Sequence, residues 1–323
     1  MRKHVKNPSL LVLLLVTRLG SLLVCQAAGQ TFTTLYNFTA SITGAGTGWG
    51  PSGGLILSGN TLYGTTEDGD NGDSSGGPND GTVFKINTNG TGLSGLHNFS
   101  GGSGGVEPSG SLVVSGNTLY GTTQSGGNSD NGTLFAVNTD GTGFNILHRF
   151  GGSDGATPLA TLVLSGKILY GTTVRGGGHG YGTVFAINAD GTAFTSLYSF
   201  TGGSDGADPL ALILAGNTLY GTAQSGGGFG NGTVFALNTD GTGFTVLHSF
   251  SATSPWTNSD GAGPGGLILS ANTLYGTAGG GGGFNNGTVF ALNTDGTGFT
   301  NLHTFAAGSY NSCLFRNVPA VFH

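Results

Sequence analysis

A phrase of roughly fifty residues, repeated five times, limits what this chain can fold into more than any other feature. Its clearest copy, LALILAGNTLYGTAQSGGGFGNGTVFALNTDGTGFTVLHSF, runs from Leu210 to Phe250. The tyrosine of LYG recurs at Tyr63, Tyr120, Tyr170, Tyr220 and Tyr275. The phenylalanine of GTVF (GTLF once) recurs at Phe84, Phe135, Phe185, Phe235 and Phe290. One short unit cannot bury its apolar residues alone, so neighbouring units must cover one another.

Within a unit the pattern resolves into four short strands, LALILAG, TLYGTA, GTVFALN and FTVLHSF, rich in β-branched and aromatic residues. The first two are joined by a tight Gly-Asn turn and the last two by NTDGTG, whose Asp-Gly is a strong hairpin signal. The other connections are longer. Gly-rich loops such as QSGGGFGN join strands two and three, and segments such as TGGSDGADP lead to the next unit. Tight turns then lie at one end of each meander and long loops at the other. The expected fold is all-β, a β-propeller of about five four-stranded antiparallel blades, the alternative being six blades with one incomplete. The units span about 55–99, 112–150, 162–200, 212–250 and 267–305 within a repeat domain from 29 to 305. FTTLYNF at 32–38 reads as an orphan outer strand, matching the fourth strand alone. Residues 306–323 leave the pattern and are expected to be poorly ordered.

Glycine is 67 of 323 residues, far above the usual ~7%, yet hydrophobic residues reach 36% and fall in regular runs, which argues for folded β-structure over disorder. Charged residues are 7% with a net charge of −6, an electrostatic footprint suited neither to nucleic acid nor to anionic lipid. Residues 1–28 read as a signal peptide: Arg2, Lys3 and Lys6, then an apolar stretch, then small residues around Ala27 and Ala28. A secreted, periplasmic or cell-surface location is the expectation. After cleavage Cys313 is the one remaining cysteine, so no internal disulfide is expected, and no membrane span is expected in the mature chain.

The phrase LYGTT…GG…NGTVFALNTDGTGFTVLHSF resembles the GloVer tandem repeat of secreted bacterial proteins, over nearly everything from Phe32 to Phe305. That resemblance implies export and a repetitive β-architecture, with no activity to carry over. A more distant likeness is to quinoprotein-type propeller repeats, where VFALNTDG parallels the third strand and turn. The docking tryptophan of those blades is missing here, so no cofactor is implied.

Candidate chemistry is sparse. His97, His148, His248 and His303 share one place in LHxF, with Tyr36 and Tyr198 in the same slot of other copies, and read as polar-tipped fillers between blades. The glycine runs at 176–178, 226–228 and 279–282 lead into strands and carry no lysine, so they read as loops and not phosphate cradles. Asp68, Asp70 and Asp73 are weak candidates for calcium, a hard cation that takes several oxygens; no other cofactor is expected. Asp154, Asp205 and Asp260 repeat in the SDGA segments and could ring the long-loop face. Trp49 and Trp256 fall in unusually long inter-blade loops, and His179, Tyr181, Phe229 and Phe284 occupy one variable loop position. Aromatic rings on a polar, charge-poor surface suit stacking on sugars or on an apolar patch of a surface protein.

No Ser, His and Asp stand out from the repeat as a triad must and no HExxH helix is present, so no catalytic residue is assigned. The reading is a binding or structural module that recognises carbohydrate or a surface partner through its long loops. The alternative is an extracellular carbohydrate-active propeller enzyme, for which Glu67 and Glu107, the only glutamates, would be the carboxylate pair.

Overall fold

A computed structural model describes residues 32–38, 48–69, 80–251 and 258–306. The leader, Asp70, Asp73, Trp256, Cys313 and residues from 307 onward lie outside the described set. The chain divides between Leu35 and Tyr36, and of the N-terminal unit only Phe32–Leu35 are described, exposed and without secondary structure.

From Trp49 onward the described residues form five antiparallel sheets, each strand pairing with its successor. The first sheet runs Trp49–Ser58, Thr61–Asp68, Thr82–Asn87 and Ser94–Asn98. The second has a first strand broken into Val106–Pro108 and Val113–Ser115, then Thr118–Ser125, Thr133–Asn138 and Asn145–Arg149. The third runs Val163–Ser165, Ile168–Thr173, Thr183–Asn188 and Thr195–Ser199, and the fourth Ala207–Ala215, Thr218–Ser225, Thr233–Asn238 and Thr245–Ser249. The fifth runs Asn258–Ser270, Thr273–Gly282, Thr288–Asn293 and Thr300–Thr304. These are the blades of an all-β propeller.

The hairpin signal works as its residues dictate. In the fourth unit the Asp240 carboxylate accepts hydrogen bonds from the Thr242 amide at 2.9 Å and the Thr242 hydroxyl at 2.7 Å. Gly241 and Gly243 take φ of 83° and 67°, which a side chain would strain. Between third and fourth strands a β-bulge recurs: Val234 faces His248 but Phe235 faces Val246, so Leu247 is skipped. The next unit's Asp-Gly turn closes over the skipped leucine, since a Cβ on Gly296 would lie 3.2 Å from the Leu247 carbonyl.

Both faces of the third strand are buried in the middle units, because each of those sheets lies between two neighbours. Val234, Phe235 and Leu237 are all fully buried. Four apolar clusters result, each straddling two consecutive sheets. In one of them Val234 and Phe250 of the fourth unit meet Leu267, Leu274, Phe290 and Leu292 of the fifth. Each fully buried side chain of this size contributes about 1.5–3 kcal/mol relative to exposure. Ring contacts repeat from unit to unit. Phe99, Phe150, Phe200 and Phe250 each meet the GTVF or GTLF phenylalanine of the next unit at 5.2–5.4 Å.

The architecture differs from the sequence expectation in three places. The first strands of units one, four and five begin at Trp49, Ala207 and Asn258, well before the leucine runs, because their Gly- and Pro-containing lead-ins also pair with the second strand. Trp49 therefore opens a strand, opposite Asp68, and does not sit in a loop. The segment 32–38 carries no ladder to any described strand. Its ring chemistry nonetheless follows the repeat: Phe38 meets Phe84 at 5.1 Å, and Tyr36 meets Phe38 edge-on at 5.1 Å.

Candidate functional site on the long-loop face

The loops between second and third strands are tied down by backbone bonds. In the fourth unit the amide of Gly232 donates to the Gly226 carbonyl at 3.0 Å and that of Gly227 to the Gly203 carbonyl at 2.8 Å. The amide of Gly228 donates to the Ser249 hydroxyl at 2.9 Å, and the third unit repeats this with Gly178 and Ser199. The residue after the loop tip closes the turn in a left-handed conformation: Asp130, Gly180, Gly230 and Asn285 have φ of 57°, 86°, 81° and 58°. The tip residues are thereby Ser129, His179, Phe229 and Phe284, all exposed. Phe229 and Phe284 leave 62% and 57% of their surface in solvent. A large ring so exposed on a backbone-fixed loop has no packing role to explain it.

Tyr181 does not share that tip position. It stands two residues on, where other units have Asn131 and Asn231, and its carbonyl accepts from Asp208 at 3.1 Å as theirs do from Thr157 and Gly263. Its ring lies over Gly202, where a Cβ would approach within 2.6 Å, so it covers the inter-unit loop while remaining 45% exposed. Trp49 is 39% exposed at the start of its strand.

The repeated aspartates are engaged within the chain. Asp154 accepts from His148 Nε2 at 2.8 Å and from the Gly151 amide at 2.8 Å. Asp205 accepts from the Tyr198 hydroxyl at 3.0 Å and the Thr201 amide at 2.8 Å. Asp260 accepts from His248 Nε2 at 3.1 Å and the Ser251 amide at 2.9 Å. Burial alone would raise the Asp205 carboxyl, but bonds from the Thr201 hydroxyl and amide and from Tyr198 outweigh it and hold it below its usual range. These pairs were missed from sequence. Their signal was present: each LHxF or LYxF copy that is followed by an SDGA segment gains such a bond, and His97, which has none following it, does not.

The LHxF and LYxF rings of units one to four, His97 included, are stacked between units. His97 lies on Phe144 with centroids 3.4 Å apart, His148 on Phe194 at 3.7 Å, Tyr198 on Phe244 at 3.8 Å and His248 on Phe299 at 3.7 Å. Burial lowers the pKa of His97 to about 4, and burial also lowers that of His248 against the pull of Asp260. Each of these imidazoles is covered by a phenyl ring of the next unit and fills space between sheets.

Of Asp68, Asp70 and Asp73 only Asp68 is described; burial, with Glu67 beside it, raises its pKa. No group of three or more His, Cys, Asp or Glu that could hold a metal ion occurs among the described residues. Glu67 accepts from the Ser52 hydroxyl at 2.8 Å, and Glu107 sits at φ 56° with its amide on the Asp80 carbonyl at 3.1 Å. The first strands together line a cavity of about 560 Å³, walled by Leu159, Leu162, Leu210, Ile213 and Leu267 with no charged side chain.

Fold and surface together define a class, the repeat-built β-propeller with variable loop tips. The chain belongs to the Gloeobacter/Verrucomicrobia repeat family, whose model matches residues 16–177 and 164–315. A chain from the crystal structure of a nidogen/laminin complex is similar with TM-score 0.50 at 15% identity, over 79% of this chain and 79% of that one. TolB from Acinetobacter baumannii is similar with TM-score 0.44 at 12% identity, over 69% of this chain and 48% of that one. At such identities the likeness concerns fold alone. No curated protein matches the sequence.

Proposed function

We propose that this protein is an exported binding module that holds an uncharged polysaccharide against the aromatic tips of its long-loop face. The observation that carries the reading is the pair Phe229 and Phe284, equivalent tips of successive units, both more than half exposed on loops fixed by backbone hydrogen bonds. A fixed ring loses little conformational freedom on binding, and sugar rings present the apolar C–H faces that stack on it. Trp49 and Tyr181 add exposed aromatic surface, and His179 gives the third unit a polar tip. With charged residues at 7% of the chain, attraction to a charged ligand contributes little. The basic, apolar leader supports export.

The test is retention on immobilised neutral polysaccharides, read beside release of reducing ends. Wild type is expected to be retarded without releasing sugar. Phe229→Ala with Phe284→Ala should abolish the delay and leave the melting midpoint unchanged, because neither ring is buried. Equal retention of the double variant refutes the site, and release of reducing ends by wild type refutes a binding-only role.

A further inference from the structure

The four inter-unit interfaces share one recipe, and among the described residues the fifth sheet carries half of it without cover. Each sheet presents to its successor the LYG tyrosine, the second-strand threonine after it, the GTVF valine, the bulged leucine and the LHxF ring. In the first four units the valine position, at Val83, Leu134, Val184 and Val234, is fully buried. Val289 in the fifth is only partly buried. The threonines Thr65, Thr122, Thr172 and Thr222 are 0–2% exposed, whereas Thr277 is exposed. Leu96, Leu147, Leu197 and Leu247 are buried or half-buried, whereas Leu302 is 52% exposed. His97, His148 and His248 each stack on a following phenylalanine, and His303 is exposed with its ring edge-on to Phe305 of its own strand. Tyr275, Thr277 and Val289 border the apolar cavity, which therefore reaches this uncovered face.

We infer that this face of the fifth sheet is a docking surface for a further three-stranded meander of the same repeat, one that carries the phenylalanine of the TGF turn. The chemistry of the occupant follows from the established interfaces. A ring at the TGF position would stack on His303 as Phe299 does on His248. An Asp-Gly turn would close over Leu302 as Gly296 closes over Leu247. A first-strand carbonyl would accept from the Thr277 hydroxyl, as the Gly265 carbonyl accepts from Thr222 at 2.8 Å.

A second copy of this chain does not meet those requirements. Its free surface is the front of the first sheet, where Leu55 and Leu57 are 43% and 41% exposed. There the TGF phenylalanine is replaced by Leu93, and the Phe84 ring is already met by Phe38. The first three strands are what is called for, since Tyr36 and Phe38 already supply the ring pair of a fourth strand at the front of unit one.

The experiment adds a synthetic peptide of sequence Ala207–Phe244, the first three strands of the fourth unit through its TGF ring, to the full chain. Expected results are a one-to-one complex, a gain of β-sheet circular dichroism from the peptide, and an upfield ring-current shift of the His303 imidazole proton. Phe244→Ala in the peptide should remove that shift, and Val289→Asp in the chain should weaken binding at least tenfold. A peptide that stays unstructured beside the full chain overturns the inference, as does binding that neither substitution alters. Self-association of the free chain with His303 already shifted would also overturn it, by making a second copy the occupant.

Discussion

Units four and five contain one identical stretch, TVFALNTDGTGF, at 233–244 and again at 288–299, so the same substitution can be made twice with only the packing changed. Val234 is fully buried against the fifth unit, and Val289 faces outward from it. Val→Ala removes two carbon groups at about 0.8 kcal/mol each, ~1.6 kcal/mol for complete burial. At position 234 a residual void of about 30 Å³ adds about 0.7 kcal/mol at 24 cal/mol per Å³, for a total of about 2.3 kcal/mol. At position 289 the site opens to solvent, so only about half the transfer term, ~0.8 kcal/mol, applies. Repeat arrays do not unfold as one unit, which makes amide hydrogen exchange of the two third strands the suitable assay. At 1.36 kcal/mol per tenfold, Val234→Ala should speed exchange of its strand about fiftyfold and Val289→Ala about fourfold, each against wild type. Intrinsic exchange rates cancel because the sequences match. Equal acceleration at the two positions would refute the argument that the fifth face is uncovered.

Gly221→Ala should destabilise the fourth unit by about 1–3 kcal/mol, because the added carbon would lie 2.3 Å from Phe235 Cζ and 2.8 Å from the Ala211 carbonyl. Urea midpoints for this variant and for the loop-tip change Gly230→Ala, which meets no atom within 4 Å but has φ of 81°, separate crowding from backbone strain. His97 should impose a pH dependence of known sign. Its folded pKa is lowered by burial from 6.5 to about 4, so the unfolded chain binds the extra proton between those values and stability falls as pH drops through that window. Above 6.5 it contributes no slope. His97→Gln should flatten thermal midpoints measured between pH 4 and 6.5, and an unchanged profile would show that its imidazole titrates normally.

Repetition made the fold legible. Period, turn chemistry and strand composition coincide in every unit, and the four-stranded meander follows from them. The role of the LHxF histidines was legible for the same reason, since a residue that alternates with tyrosine at one repeat position has to be filling space. Strand starts in units four and five were not legible: Pro209 pairs with Ala223 and Ala262 with Gly280, but lead-ins rich in glycine, proline and aspartate carry no strand propensity. The bonds Asp154–His148 and Asp260–His248 span 6 and 12 residues, so the SDGA segment marks them but no fixed spacing does. Tyr181 was aligned with the tips because glycine on either side hides a two-residue offset that only the backbone bond from Asp208 resolves.

The repeat also decides where specificity can reside. A change within GTVF or TGF alters a core shared by two sheets, so those positions are held by packing from both sides. The loop tips answer to no such demand. Ser129, His179, Phe229 and Phe284 follow one backbone path while differing in size, polarity and charge capacity. A chain that needed only solubility there would be expected to keep small polar residues, as the second unit does with Ser129. Two large phenyl rings held in solvent cost solubility and return nothing to the fold, which is why the proposed binding role is placed on them.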